Sequence, residues 1–138
     1  MELESGYVSA STNGLRGEKV VLPFPSVGAT ENLMLAASLA KGETVIENAA
    51  REPEIVDLAN CLKQMGVEIE GEGSAKIKIQ GTQKLKPIDY TPIGDRIEAS
   101  TFIMAALATN SEIEVKGIQT EYIQAVLHAL SQMGAHLK

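Results

Sequence analysis

Apolar and polar positions recur along this chain with two periods, one near 3.6 residues and one of two. Lys19 to Leu22 reads as a short strand, ended by Pro23 and Pro25. Ser26 then opens a segment in which Ala29, Leu33, Ala36, Ala37 and Ala40 recur at helical spacing, closed by Gly42. Glu43 to Glu47 carries β-branched Thr44, Val45 and Ile46 and predicts a strand. Pro53 suits a first helical turn, and Ile55, Leu58, Ala59, Leu62 and Met65 mark one face of a second helix that stops at Gly66. Val67 to Glu70 and Lys76 to Gln80 alternate apolar and charged residues on either side of Gly71 and Gly73, which predicts a hairpin.

The order then begins again. Asp95 starts a helix with an apolar face through Ile97, Thr101, Met104, Ala105 and Ala108, and Glu112 to Lys116 is predicted to follow as a strand. A fourth helix has Ile123, Val126, Leu127, Leu130 and Met133 on one face. Leu62-Lys63-Gln64-Met65-Gly66 matches Leu130-Ser131-Gln132-Met133-Gly134, and Met34 to Leu39 resembles Ile103 to Ala108, so the chain contains an internal repeat. Each unit reads strand, helix, strand, helix, then strands, and the second copy reaches Lys138 before a closing hairpin. Parallel strands joined by amphipathic helices give an α/β (α+β) class, with a sheet beneath helices.

Composition narrows the function classes. With 138 residues, 44% of them hydrophobic, the chain can bury a core, roughly 68% of its unfolded surface. Its net charge is −6 and its 12 basic residues are scattered, so it lacks the basic stripe of a nucleic-acid binder. No apolar run approaches the ~20 residues of a membrane span, and two glutamates near the start replace the positive charge of a signal peptide, giving an expectation of a soluble, cytoplasmic protein. The lone cysteine, Cys61, excludes an internal disulfide and a cysteine-based metal site. His128 and His136 stand apart from any ligand pattern.

The sharpest local signal is Phe24-Pro25-Ser26-Val27-Gly28-Ala29-Thr30-Glu31-Asn32, where a strand gives way to a helix. Ser26 is a natural N-cap, the amides behind it and the positive end of the helix dipole suit phosphate, and Gly28 lets a ligand approach the backbone. A plain helix start explains the same residues. Asp95-Arg96-Ile97-Glu98 resembles a capping box, with Arg96 set against the dipole unless an anion partners it. Arg51 among Glu52 and Glu54 can pair locally, Cys61 has no base at helical spacing, and no Ser/His/Asp set, Walker-type loop or zinc spacing occurs. No catalytic residue is assigned.

Three stretches carry a resemblance: Ser26 to Asn32, Val45-Ile46-Glu47-Asn48-Ala49-Ala50-Arg51-Glu52-Pro53-Glu54-Ile55-Val56-Asp57, and Asp95-Arg96-Ile97-Glu98-Ala99. They resemble diagnostic segments of the UDP-N-acetylglucosamine 1-carboxyvinyltransferases, a likeness that runs from Gly6-Tyr7-Val8 and is weakest after Gln119. The resemblance implies two lobes of βαβαββ units packed as an inside-out α/β barrel, similar to enolpyruvylshikimate phosphate synthase. Residues 1–93 would close one lobe, and residues 94–138 would begin a unit of the other. It also implies transfer of enolpyruvyl from phosphoenolpyruvate to the 3-hydroxyl of UDP-N-acetylglucosamine, a cytoplasmic step of peptidoglycan precursor synthesis, with no metal or organic cofactor. Phe24, Pro25, Ser26 and Val27 match the segment lining the nucleotide site, with Gly28 adjacent, and Arg96 takes a hinge or charge-positioning role.

The departures weigh as much. The family's Lys-Asn pair, reactive-cysteine loop, catalytic aspartate and phosphoenolpyruvate-binding arginines fall outside this sequence, and Cys61 does not match the reactive cysteine. Phosphoenolpyruvate is therefore a partner of a complete enzyme only, and this chain alone is expected to be inactive. The alternatives are a non-catalytic UDP-sugar-binding or self-associating module, with a homodimer covering the unfinished unit, and a small free-standing enzyme, for which no nucleophile, base or metal set can be assembled.

Overall fold

The alternation seen in the sequence becomes a sheet with one wet and one dry face. The structure is a computed structural model that describes residues 2–4 and 6–137. It divides into two compact units, Met1–Tyr90 and Thr91–Lys138.

In the first unit, β1 (Glu2–Glu4) and β2 (Tyr7–Ser9) form a small antiparallel ribbon that the sequence pattern did not announce. A four-stranded mixed sheet follows, ordered β3-β4-β6-β5, from β3 (Lys19–Val21), β4 (Glu43–Glu47), β5 (Glu68–Glu70) and β6 (Lys76–Gln80). β3 and β4 are parallel, with Val20 opposite Ile46, and β6 runs antiparallel to both β4 and β5. Helices α1 (Val27–Ser38) and α2 (Pro53–Gln64) make the connections. Ile46, Ile77 and Ile79 point to the helices and, with Met34 of α1 and Ile55 of α2, are fully buried. Glu43, Lys76, Lys78 and Gln80 face water, and Glu47 lies between Lys19 at 3.0 Å and Lys76 at 3.4 Å, tying three strands together. Hydrogen bonding to Lys19, then to Lys76, holds the Glu47 carboxyl below its ordinary range.

Helix α1 keeps part of the expected inner face, with Ala37 and, just past its end, Ala40 buried, but elsewhere the buried positions fall one residue on from those expected. Thr30, Met34, Ala37 and Ser38 are buried, whereas Ala36 is exposed and Ala29 and Leu33 only half-buried. Two hydroxyls tolerate burial because each donates to a helix carbonyl four residues back, Thr30 to Ser26 at 2.8 Å and Ser38 to Met34 at 2.8 Å. Helix α2 keeps the predicted face, with Ile55, Ala59 and Leu62 buried.

The second unit holds α3 (Arg96–Ala108), a 3₁₀ turn (Thr120–Ile123) and α4 (Gln124–Gln132). Helix α3 buries Ala99, Ser100 and Ala106, leaving Ile97 and Met104 of the expected face exposed. A helix apolar nearly all round offers no periodicity from which to choose a face. The strand expected at Glu112–Lys116 is absent: that stretch is irregular and its side chains are mostly exposed. Its counterpart β4 is hydrogen-bonded on both edges, by β3 and by β6, and the described residues of the second unit supply neither neighbour. A lone strand leaves its backbone groups to water, so β-branched composition alone does not hold it extended.

Candidate functional site

β3 and β4 are parallel, so the β3–α1 and β4–α2 loops leave the sheet on the same edge. The first of these is Leu22-Pro23-Phe24-Pro25-Ser26. Prolines on both sides of Phe24 fix two φ angles and remove two donors, which stiffens the loop and leaves the Phe24 side chain 65% exposed. Ser26 is extended, with φ −126° and ψ 122°, and caps α1 by accepting from the Ala29 amide at 3.3 Å. The Val27 and Gly28 amides lie in the first turn, where no helix carbonyl can reach them.

Val27 packs against the core and so anchors this turn, while Gly28 is exposed, with nothing within 4 Å of where a Cβ would stand. Phe24 to Gly28 thus bring together an exposed apolar ring on a stiff loop and two first-turn amides at a positive helix end. That combination suits a planar base or sugar joined to an anion.

Arg96 belongs to the other unit. It is the first residue of α3, half-buried, next to the cap Asp95, whose carboxylate accepts from the amides of Ile97 at 2.8 Å and Glu98 at 3.1 Å. The capping arrangement read from the sequence is present, with Asp95 alone taking both amides.

Other features stand apart from this surface. A shallow cavity of about 260 Å³ lined by Thr12, Asn13, Gly14, Leu15, Arg16 and Lys41 lies where β3 and β4 begin, the opposite edge from Ser26. Cys61 is a free, half-buried thiol within α2. Among the described residues no three His, Cys, Asp or Glu side chains gather as a metal site. The His128 ring lies 3.1 Å from the Gln132 carboxamide nitrogen, one turn along α4. Among the described residues no helix is long and apolar enough to cross a membrane.

The model of the EPSP synthase (3-phosphoshikimate 1-carboxyvinyltransferase) family matches residues 1–138. The chain belongs to this family. Among its relatives, the UDP-N-acetylglucosamine 1-carboxyvinyltransferase of Rhodospirillum centenum is 55% identical over 133 residues, covering 95% of this chain and 31% of the relative. That of Nocardia farcinica is 49% identical over 136 residues, covering 99% of this chain and 32% of the relative. The chain therefore spans about a third of the length of the curated relatives it matches.

The fold agrees with solved members. The enolpyruvyl transferase NikO from Streptomyces tendae superposes with a TM-score of 0.71 at 20% identity, over 91% of this chain and 33% of that one. EPSP synthase from Acinetobacter baumannii gives 0.61 at 26% identity, over 91% of this chain and 28% of that one. The βαβαββ unit and the start of another are thus an incomplete part of the enolpyruvyl transferase fold.

Proposed function

We propose that this chain is a portion of a UDP-N-acetylglucosamine enolpyruvyl transferase of peptidoglycan precursor synthesis, and that Phe24 to Gly28 form its nucleotide-sugar contact. The observation that carries the reading is the first turn of α1. Two amides without helix acceptors, a Ser26 cap and an uncrowded Gly28 stand beside an exposed Phe24, in a chain about half identical to transferases of that name. Backbone amides recognise a diphosphate whatever side chains surround them, and the dipole adds positive charge without a titratable group.

Residues up to about 93 belong to one lobe of the whole protein and those from 94 to the other, with Arg96 in a hinge or charge-positioning role. Phe24 to Gly28 carry no carboxylate, imidazole, amine or thiol, and the one hydroxyl, that of Ser26, is engaged in capping α1, so this segment binds and orients while chemistry falls to groups outside the chain. Phosphoenolpyruvate is accordingly a substrate of the complete enzyme, and the chain by itself turns nothing over.

Titration of UDP-N-acetylglucosamine into the ¹⁵N-labelled chain, with uridine as control, tests the binding role. Saturable shifts at Ser26, Val27 and Gly28 are expected; their absence at millimolar ligand would remove the nucleotide site from this segment. Phosphate release measured with phosphoenolpyruvate present tests the other half, where any turnover above background refutes the division of labour. A self-associating module is the second reading, favoured by Leu35 exposed on α1, Leu39 exposed at its C-cap, and Phe102 and Leu107 exposed on α3. Sedimentation equilibrium decides it.

A further inference from the structure

The β3–α1 loop is tied to the β4–α2 loop beside it by two side chains, neither of which belongs to the surface described above. The parallel ladder of β3 and β4 ends where the Leu22 amide donates to the Glu47 carbonyl at 3.0 Å. One residue on, Asn48 adopts a positive φ of 58°, a conformation asparagine tolerates better than most residues, and its carboxamide reaches back to the Leu22 carbonyl at 3.0 Å. The Ala49 amide donates to the Ala75 carbonyl at 3.0 Å, which fixes the β4–α2 loop from its other side.

At the far end of the β3–α1 loop, the Thr30 hydroxyl donates to the Ser26 carbonyl at 2.8 Å and accepts from the Ala50 amide at 3.0 Å. The direction is forced, because an amide N–H can only donate. Thr30 is fully buried, so this relay is shielded from water, and the Ala50 amide has nowhere else to go. The β3–α1 loop is therefore held at its first carbonyl by Asn48 and at its last by Thr30.

We propose that Thr30 and Asn48 are positioning residues for the nucleotide-sugar contact: they touch no ligand, and they set where the Val27 and Gly28 amides stand relative to the Phe24 ring. This rests on the reading of the Phe24 to Gly28 surface given above. Removing the Asn48 carboxamide frees the Leu22 carbonyl and lets the Phe24 loop drift. Removing the Thr30 hydroxyl uncouples the first turn of α1 from the neighbouring loop.

The variants Asn48→Gly and Thr30→Val test this in the full chain, with Thr30→Ser as the conservative rescue. Glycine keeps the positive φ while discarding the whole asparagine side chain, whereas valine keeps the shape of threonine and replaces its hydroxyl with a methyl group. In the ligand-free chain, Asn48→Gly and Thr30→Val are expected to move the Val27 and Gly28 amide resonances and speed their hydrogen exchange, and Thr30→Ser to restore both. Affinity for UDP-N-acetylglucosamine should fall about fivefold or more in the first two, the equivalent of one hydrogen bond of ~1 kcal/mol, and recover in Thr30→Ser. Unchanged affinity beside measurable binding by the parent chain overturns the positioning role and leaves the nucleotide reading intact. If the parent chain does not bind, the nucleotide reading fails, and unmoved ligand-free amides in both variants then overturn the positioning role on their own.

Discussion

Replacing Gly28 with alanine should make the chain more stable and a poorer nucleotide binder. Gly28 is the second residue of α1, its φ lies outside the left-handed region, and a Cβ added there would meet nothing within 4 Å, so nothing local requires glycine. Glycine within a helix costs about 0.5–1 kcal/mol relative to alanine, through the conformational freedom it surrenders on folding. Recovering that amount in a unit of this size raises the melting temperature by roughly 2–8 °C. A methyl group directed at a phosphate or sugar would instead keep the ligand from the amides. Thermal unfolding followed by far-ultraviolet circular dichroism gives the first arm, and the amide titration of the nucleotide sugar gives the second. A fall in melting temperature would refute the claim that the position is unstrained and open. A stabilised variant that binds as well as its parent would show that no ligand approaches there.

Ile46→Ala removes three carbons from a fully buried side chain on the central strand, opposite Ile77, and should cost about 2–5 kcal/mol in a urea titration; a loss under about 1 kcal/mol would mean that the core lies elsewhere. Gly81→Ala would place a Cβ 1.9 Å from the Ala40 carbonyl oxygen and 2.8 Å from that of Ala37, both backbone atoms, and should destabilise by about 1–3 kcal/mol in the same assay, opposite in sign to Gly28→Ala. The half-buried Tyr90 hydroxyl donates to Asp57, at 2.8 Å to its carboxylate and 3.0 Å to its carbonyl, and burial, then this bond, push its pKa from 10.0 up to about 12. Because the folded chain prefers the neutral phenol, this stabilisation is whole below pH 10 and disappears as pH climbs through 12, so unfolding midpoints of the parent chain and Tyr90→Phe should converge across that window; a constant gap would refute the assignment.

Much of the first unit was legible because its signals are strong where its packing is simple. β4 and β6 fall at the predicted residues, since one-sided burial leaves a clean alternation in Lys76-Ile77-Lys78-Ile79-Gln80 and β-branched residues in β4. Ser26 and Asp95 were readable as caps from side-chain chemistry alone. The inner face of α1 was not, because Thr30 and Ser38 look polar in sequence and become good core residues only once their hydroxyls are bonded. Of the candidate site, Phe24 to Gly28 stood out, while Asn48 and Thr30 did not. Their partners Leu22 and Ala50 lie 26 and 20 residues away, beyond any local pattern.

The two copies of the repeat show where local information ends. Leu62 to Gly66 and Leu130 to Gly134 finish α2 and α4 in the same way: Gly66 and Gly134 take φ 103° and 92°, their amides bond Lys63 and Ser131 at 3.0 Å, and the next amides, Val67 and Ala135, reach back to Leu62 and Leu130 at 3.0 Å. Such a stop needs only about six consecutive residues, so it forms in both copies alike. Glu112 to Lys116 sits where β4 sits in the first copy, yet it has no ladder, because a strand is completed by residues distant in sequence. Local motifs therefore form alike in both copies, and among the described residues only the first copy, which contains both neighbours of its central strand, builds the mixed sheet. The Phe24 loop hangs from that sheet, so the nucleotide contact proposed for it rests on the copy whose central strand is paired on both sides and not on the copy whose counterpart strand is missing from the described residues.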